Sequence, residues 1–393
     1  MWSPQQEVAL TRVQRWLQTK DRPYFLLAGY AGTGKTTLAK HLAAGIDGPV
    51  HFAAFTGKAA SVLARTGIPN VSTIHKLIYT TKERSRFRLM QLEKERLRAL
   101  HAGQSTAQID RDIKREKDNL QRPAFTLSTT SPLQDAALVV IDEYSMVDER
   151  MALDLLSFRV PILALGDPGQ LPPVRGKSFF TQQPDVMLTE IHRQAEGNPI
   201  LWMSREIREG RELRPGAYGD SSVVDRRAVD RETLQGKVTA CDQLLVGLNG
   251  TRRNSNARFR ELAGHVSPYP VAGDKLVCLR NNHELGVLNG QLWRCSHDAQ
   301  DDGEHLVLAV KDDDGKEIAA RAHREYFHGK EPDPQGWRDA ESFDYGYALT
   351  VHKSQGSQWP AVTLFDEWRT ANRREWLYTG ITRAAERVDV VQF

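Results

Sequence analysis

Tyr24–Leu42 reads YFLLAGYAGTGKTTLAKHL, and this stretch decides the fold. Its opening, YFLLA, is a short apolar run of strand length, and TTLAKHLAAGI from Thr36 onward has the spacing of a helix. Between them GYAGTGKTT, Gly29 to Thr37, meets the pattern G-x-x-x-x-G-K-[ST] without a mismatch. Strand, glycine-rich turn and helix in that order make a phosphate-cradling loop. Gly29, Gly32 and Gly34 let backbone N–H groups converge on phosphate oxygens, and the positive end of the following helix strengthens the anion site. Lys35 is placed to reach the β- and γ-phosphates and the Thr36 hydroxyl to ligate Mg²⁺. Thr33 and Thr37 complete the set of loop contacts. The residues therefore predict a chain that binds a nucleoside triphosphate, against the plain alternative of a structural glycine turn.

Outward from the loop, YFLLAG, PVHFAAFT, ALVVIDE and VPILALGD alternate with helical patterns. That alternation predicts a parallel sheet covered by helices on both faces. Ser3-Pro4-x-Gln6 opens a first helix through a capping box, and Val13, Trp16 and Leu17 give that helix its apolar stripe. From about Thr80 to Arg122 the rhythm breaks into charge, as in KERSRFRLMQLEKERLRAL and IDRDIKREKDNLQ. Two helical pieces separated by HAGQS fit this tract, either as a solvated hairpin or as a nucleic-acid contact. A second unit starts near Gly197 with the helix NPILWMSREIREG, the strand DQLLVGLNG and the helix TRRNSNARFRELA. Short strands at DKLVCLRNN, GQLWRCSHD, EHLVLAVKD and KEIAARAHREY predict a small inserted β-barrel. Three further α/β strands follow at YGYALTVH, AVTLFDE and RVDVVQF.

The chain has 393 residues, which predicts two or three domains. A net charge of +3 says little about partners. Cys241, Cys278 and Cys295 form no C-x-x-C pair, which argues against a zinc or disulfide framework and for a reducing compartment. No apolar run approaches the ~20 residues that span a bilayer, and Trp2 is followed at once by SPQQEV rather than by a signal peptide. The expectation is a cytoplasmic protein of a bacterial cell or phage-infected host, without membrane contact.

Two further strand ends carry chemistry. LVVIDEYSM delivers Asp142 and Glu143 toward the phosphate loop: Asp142 can hold Mg²⁺, and Glu143 can orient and polarise an attacking water. An adjacent acidic pair of this kind suits a hydrolase of ATP better than a kinase, which must exclude water. LALGDPGQLPPV presents Asp167 and, after a turn, Gln170, whose amide can reach the γ-phosphate.

GYAGTGKTT, FTGKAA, STIHK, VVIDEYSM, GDPGQLPPV, HRQ, YALTVHKSQGSQW and YTGITRA, in this order, resemble the motif set of superfamily 1 DNA helicases, class 1B, the RecD and phage Dda group. The resemblance runs from about Gln6 to Arg383. It implies an α/β fold of two RecA-like P-loop domains with ATP and Mg²⁺ in the cleft between them. The expected boundaries are 1–79 with 123–196 for the first RecA-like domain and 197–279 with 343–393 for the second. An inserted helical pin occupies 80–122 and an inserted small β-barrel 280–342. By the same resemblance Gln6 reads the adenine edge, with a capping role alone as its alternative. Gln170 couples the γ-phosphate to DNA, Arg383 is an arginine finger reaching across the cleft, and Arg193 is a second γ-phosphate contact. Arg373 and Arg387 are expected in surface or structural roles.

Single-stranded DNA should then cross both domains, held by Thr56 and Lys58, Thr73 and His75, and Thr350, His352, Lys353 and Ser354. Phe55, Trp359 and Trp293 are the stacking candidates, each with a core role as its alternative. No metal beyond Mg²⁺ is expected. The resemblance implies an ATP-dependent helicase that translocates 5′-to-3′ on single-stranded DNA and acts as a monomer at duplex/single-strand junctions. Replication or recombination proteins form the class of further partners. Two alternatives stay open: a DNA-stimulated ATPase that displaces bound proteins without separating strands, and a non-catalytic subunit of a recombination complex.

Overall fold

The computed structural model describes residues 2–81, 92, 95, 96, 98, 99, 106, 108–113, 125–128, 130–172, 178–180, 182–190, 197–282, 285–313, 315–330 and 340–393. Arg193 and most of the charged tract expected as a pin lie outside these residues.

The first unit runs α1 (Pro4–Thr19), β1 (Tyr24–Gly29), α2 (Lys35–Ala44), β2 (Val50–Ala54), α3 (Gly57–Arg65), β3 (Val71–Thr73), α4 (Ile74–Ile78), β4 (Tyr79–Thr81), β5 (Phe125–Leu127), β6 (Leu138–Asp142), α5 (Glu149–Leu156), β7 (Ile162–Gly166) and β8 (Val186–Leu188). Its sheet has the order β3-β2-β6-β7-β1-β8, and every pairing in it is parallel. The strands alternate with helices, so the apolar runs legible in the sequence become strands buried on both faces. Both bonds of the predicted capping box form: Ser3 Oγ accepts from Gln6 N at 3.3 Å, and Gln6 Oε1 from Ser3 N at 3.0 Å. The charged tract leaves and rejoins this unit through an antiparallel ribbon of β4 and β5. Within it Arg96 Nε donates to Asp110 Oδ1 at 2.5 Å.

The second unit continues with α6 (Pro199–Arg208), β9 (Gly216–Tyr218), β10 (Ser221–Asp225), α7 (Arg231–Thr239), β11 (Gln243–Val246) and α8 (Asn249–Leu262). A third set of strands intervenes: β12 (Lys275–Cys278), β13 (Leu292–Cys295), β14 (Gln300–Asp301), β15 (Leu306–Lys311), β16 (Glu317–Ala322) and β17 (Phe343–Tyr345). Then come β18 (Ala348–Thr350), β19 (Trp359–Asp366), α9 (Arg373–Ile381) and β20 (Ala384–Gln392). The second sheet has the order β18-β11-β19-β20-β10-β9, parallel except for β9 at its edge.

The inserted strands differ from the expected barrel. Their sheet is antiparallel, in the order β14-β15-β13-β12-β17 with β16 on β15, and among the described residues it does not close. A single bridge, Ala322 to Glu341, joins the end of β16 to the segment just before β17. One such contact leaves most edge N–H and C=O groups unpaired between these strands, whereas closure needs a continuous ladder. β12, within the DKLVCLRNN expected as a barrel strand though short of the 280 boundary, and β17, expected in the second RecA-like domain, both belong to this sheet. No helix among the described residues is long and apolar enough to cross a membrane.

Candidate nucleotide site and nucleic-acid interface

Register places the chemistry. Ala28 pairs with Gly166 and Ala54 with Asp142, so the phosphate loop, the acidic pair and Asp167 all leave the first sheet at its carboxyl edge. In open parallel sheets that edge is where ligands bind. Gly32 and Gly34 have φ of +78° and +79°, the left-handed region that glycine enters without steric cost. A Cβ on Gly29 would lie 2.6 Å from Thr33 Oγ1 and 2.9 Å from Leu188 Cβ. The backbone thus forms a cradle that side chains would fill. Lys35 Nζ donates to the carbonyls of Gly29 at 2.6 Å and Tyr30 at 3.0 Å. Thr36 is half-buried in the first turn of α2, beside the exposed Thr37. Gln6 is buried, and its Nε2 donates to Thr33 O at 3.0 Å while its Oε1 serves the cap. The side chain therefore ties α1 to the loop through Nε2, while Oε1 closes the cap of α1.

Asp142 ends β6, and its Oδ1 accepts from Glu143 N at 3.0 Å. Desolvation, and then the neighbouring Glu143 charge, push its carboxyl up to about 7, with Lys35 opposing. Glu143 sits at φ 59° and ψ 49°, a left-handed conformation that costs a non-glycine residue roughly 1 kcal/mol or more. That turn directs the chain into the short helix Tyr144–Met146, whose Tyr144 ring lies where a Cβ on Gly166 would be, 2.6 Å away. The glycine cradle and a carboxylate that gains by ion contact fit a Mg²⁺–nucleotide held by Thr36 and Asp142. No described group of three His, Cys, Asp or Glu could hold a metal by itself.

Asp167 follows β7 and is 1% exposed. Its Oδ1 accepts from Gly169 N at 2.9 Å, and Gln170 N donates back to Asp167 O at 3.2 Å. Leu171, the next residue, is buried in the core of the second sheet with Met203, Leu364 and Trp376. Leu171 N donates to Thr379 Oγ1 at 2.9 Å, and Gln355 Nε2 to Leu171 O at 3.0 Å. The loop carrying Gln170 is therefore fastened to the second unit.

Three successive residues of the phosphate loop also meet the second unit. The Arg208 guanidinium lies 3.6 Å from the centroid of the Tyr30 ring. Tyr378 Oη accepts from Ala31 N at 3.0 Å and donates to Asp167 Oδ2 at 2.7 Å. Leu201 Cδ1 stands 3.0 Å from where a Gly32 Cβ would be. None of these three partners was expected from sequence. The signal for Tyr378 was its place in YTGITRA; α6 carried only an amphipathic pattern.

Arg383 itself is 6% exposed, and its guanidinium donates to Thr379 O, Ser357 O and Thr382 Oγ1. These hydrogen bonds all stay within the second unit, so the structure does not bring Arg383 together with Lys35, Asp142 and Glu143. Arg373 pairs with Asp366, and Arg387 donates to Ala240 O.

The residues expected to hold DNA fall into a common pattern. Thr56, Thr73 and Thr350 each cap a short helix, accepting from Ala59 N at 3.1 Å, Lys76 N at 3.2 Å and Lys353 N at 3.4 Å. Gly356, just past the Thr350 turn, packs so closely on the Thr56 turn that a Cβ would lie 2.9 Å from Ala59 Cβ. The two turns, one from each unit, are thus neighbours. Lys58 lies in the first turn of α3, and Lys353 is exposed in the Thr350 turn. The His75 ring packs between Phe55 and Tyr79, and His352 against Trp368. Ser354 is fully buried, its hydroxyl donating to Val351 O at 2.7 Å. Trp359 and Trp293, at 8% and 1% exposure, are core residues of the second and third sheets, and neither offers a ring face for stacking.

Two parallel-sheet units with a phosphate loop, an acidic pair and a glutamine loop on one sheet edge define a P-loop protein of the RecA-like type. Residues 2–228 match the AAA domain family model, and residues 345–391 match that of the UvrD-like helicase C-terminal domain. The chain belongs to the AAA domain family, and it resembles the RecD-like superfamily 1B helicases. The ATP-dependent RecD2 DNA helicase of Deinococcus radiodurans is 26% identical over 394 residues, covering 92% of this chain and 46% of that protein. A conjugal transfer protein TraA of Agrobacterium fabrum is 27% identical over 263 residues, covering 57% and 22%. The chain thus spans less than half the length of these curated relatives. Among solved structures, Pif1 helicase from Bacteroides in complex with ADP-AlF3 and ssDNA superposes with a TM-score of 0.54 at 17% identity, covering 97% of this chain and 91% of that one. Pif1 helicase from Candida albicans does so with 0.52 at 18%, covering 100% and 94%. At such identity the likeness is one of fold.

Proposed function

We propose that this chain is an ATP-dependent DNA helicase that translocates 5′-to-3′ along single-stranded DNA. The observation that carries the reading is the convergence of Lys35, Asp142, Glu143 and the Gln170 loop on one sheet edge, with a second parallel-sheet unit fastened onto that edge. The relatives' names, in which DNA and helicase recur and one is ATP-dependent, support it.

In this reading residues 1–79 with 123–196 and 197–279 with 343–393 are the two motor domains, except that β12 and β17 go with the inserted sheet. The cradle of Gly29, Gly32, Thr33, Gly34 and Thr37 binds the phosphates through backbone N–H groups, and Lys35 turns from the Gly29 and Tyr30 carbonyls toward the β- and γ-phosphates. Thr36 and Asp142 hold Mg²⁺, which when bound neutralises phosphate charge. Glu143 holds the attacking water and accepts its proton. Arg383 reaches the γ-phosphate only if the Thr379–Arg383 end of α9 reorganises, which makes hydrolysis depend on domain movement. Single-stranded DNA lies over the capped turns at Thr56, Thr73 and Thr350, with Lys58, His75, His352 and Lys353 beside its phosphates and Phe55 as the remaining stacking candidate.

The test is ATP hydrolysis with and without poly-dT, beside Lys35→Ala. Stimulation by DNA that the variant abolishes is the expected result, followed by unwinding of forks bearing a 5′ tail in preference to a 3′ tail. Hydrolysis indifferent to DNA would sink the motor reading, and stimulation without unwinding of either fork would favour the protein-displacing ATPase.

A further inference from the structure

Of the three second-unit side chains that meet Tyr30, Ala31 and Gly32, only Tyr378 hydrogen-bonds to the phosphate loop. Its hydroxyl is used fully, accepting from Ala31 N at 3.0 Å and donating to Asp167 Oδ2 at 2.7 Å. Asp167 in turn accepts from Gly169 N at 2.9 Å, which sets the turn ahead of Gln170. The ring is 1% exposed and lies against Gly169, where a Cβ would be 3.1 Å from Tyr378 Cε1. Thr379 then takes Leu171 N at 2.9 Å.

On its other side α9 packs on the Thr350 turn: Val351 shares the core with Tyr378 and Ile381, and a Cβ on Gly380 would lie 3.4 Å from Val351 Cγ2. One helix therefore joins the phosphate loop, the Gln170 loop and the turn at 350–354 through contiguous contacts. The Tyr378–Asp167 bond is buried and the Ala31 bond partly so, so losing the hydroxyl leaves the buried Asp167 Oδ2 without this partner.

We propose that Tyr378 is a positioning residue that transmits phosphate-loop occupancy through α9 to the turn at residues 350–354. The proposal rests on the reading that the loop binds nucleotide and that this turn contacts DNA. The hydroxyl fixes Ala31 and the Asp167–Gln170 turn relative to α9, so a shift of the loop moves helix and turn together. Arg208 on Tyr30 and Leu201 on Gly32 add packing to the same junction without a directional bond.

Tyr378→Phe keeps the ring against Gly169 and removes one oxygen. Amide hydrogen exchange over residues 350–354, with and without Mg·ADP, reads the link directly and needs no DNA. The wild-type turn should change its exchange on ADP binding, while Tyr378→Phe should lose that response with ADP affinity within about threefold of wild type. In hydrolysis, the variant's DNA-stimulated kcat should fall by roughly tenfold while KM for ATP and the DNA-free rate stay within about threefold, a loss inside the usual range of coupling between sites. Gly169→Ala, which pushes on the same ring from the other side, should reproduce the pattern and stands in if Tyr378→Phe does not fold.

A wild-type turn that ignores ADP, or a variant that keeps the response, overturns the proposal. So does a variant that loses ADP affinity and DNA-free hydrolysis together, since that is a structural role. Wild-type hydrolysis unaffected by DNA defeats the motor reading instead, and the exchange experiment still decides the role of Tyr378.

Discussion

Asp142 is a residue of the candidate site whose chemistry its surroundings change strongly. Half-buried beside Glu143, its carboxyl rises from 3.8 to about 7. The native state holds this proton more tightly than the unfolded chain. This group therefore costs stability progressively as pH rises from about 4 to about 7, and the full cost stands above 7. In nucleotide-free protein Asp142→Asn should raise the thermal midpoint at pH 8 by roughly 2–4 °C and leave it unchanged at pH 4. An ion ligand must be deprotonated, so Mg·ADP affinity of the wild type should rise about tenfold per pH unit up to about 7 and then level off. Calorimetric titration of both proteins across that range checks this; a flat wild-type profile would remove Asp142 from the metal site. At this scale the positions of Lys35 and Thr36 after one strand and of Asp142 and Glu143 at the end of another were legible in the sequence, because each pair lies in a contiguous local pattern. It did not show that Gln6 uses both amide atoms, since Thr33 and Ser3 meet there only after folding.

At the scale of elements, α8 is the least expected. Its sequence, TRRNSNARFRELA, has hardly any apolar stripe, yet the helix is buried along one face by Arg252, Asn256 and Arg260 at a spacing of four. Arg252 pairs with Asp344 at 2.6 Å, and Asn256 Nδ2 donates to Tyr345 O at 3.1 Å. Arg260 bonds both oxygens of Asp274, at 3.2 and 3.1 Å. Asp274, fully buried, also accepts from Val271 N and Tyr347 Oη. This polar face fastens the inserted sheet to the second one. Periodicity of apolar residues cannot find such a helix face, because polar groups are buried only where partners from other elements satisfy them. Asp274→Ala strands the Arg260 charge and should cost about 3–5 kcal/mol. Adding Arg260→Met should recover part of that loss in urea unfolding, and no recovery would mean that Asp274 acts mainly through Tyr347 and the backbone.

At the scale of the whole molecule, the neighbouring turns at Thr56 and Thr350 carry Lys58 and Lys353, so the DNA affinity these turns supply should rest on few charges and several helix caps. The logarithm of the affinity for poly-dT should fall with the logarithm of salt at a slope near −1 to −3, and Lys58→Ala with Lys353→Ala should flatten it by about 1.4, or ~0.7 for each single-strand phosphate contact. An unchanged slope would move the DNA path away from these two turns. What the sequence by itself determined is the local chemistry: strand, cradle and acidic pair, the first capping box, and the two parallel sheets implied by alternating apolar runs. Each of these is encoded in neighbouring residues, where steric and hydrogen-bonding rules act over a few positions. Only the tertiary structure decided that the inserted sheet stays open, that Trp293 and Trp359 are core, that Arg383 is tied to its own unit, and that Tyr378 reaches Ala31 and Asp167. Those outcomes depend on burial and, for Tyr378, on partners hundreds of residues apart, which no local pattern records.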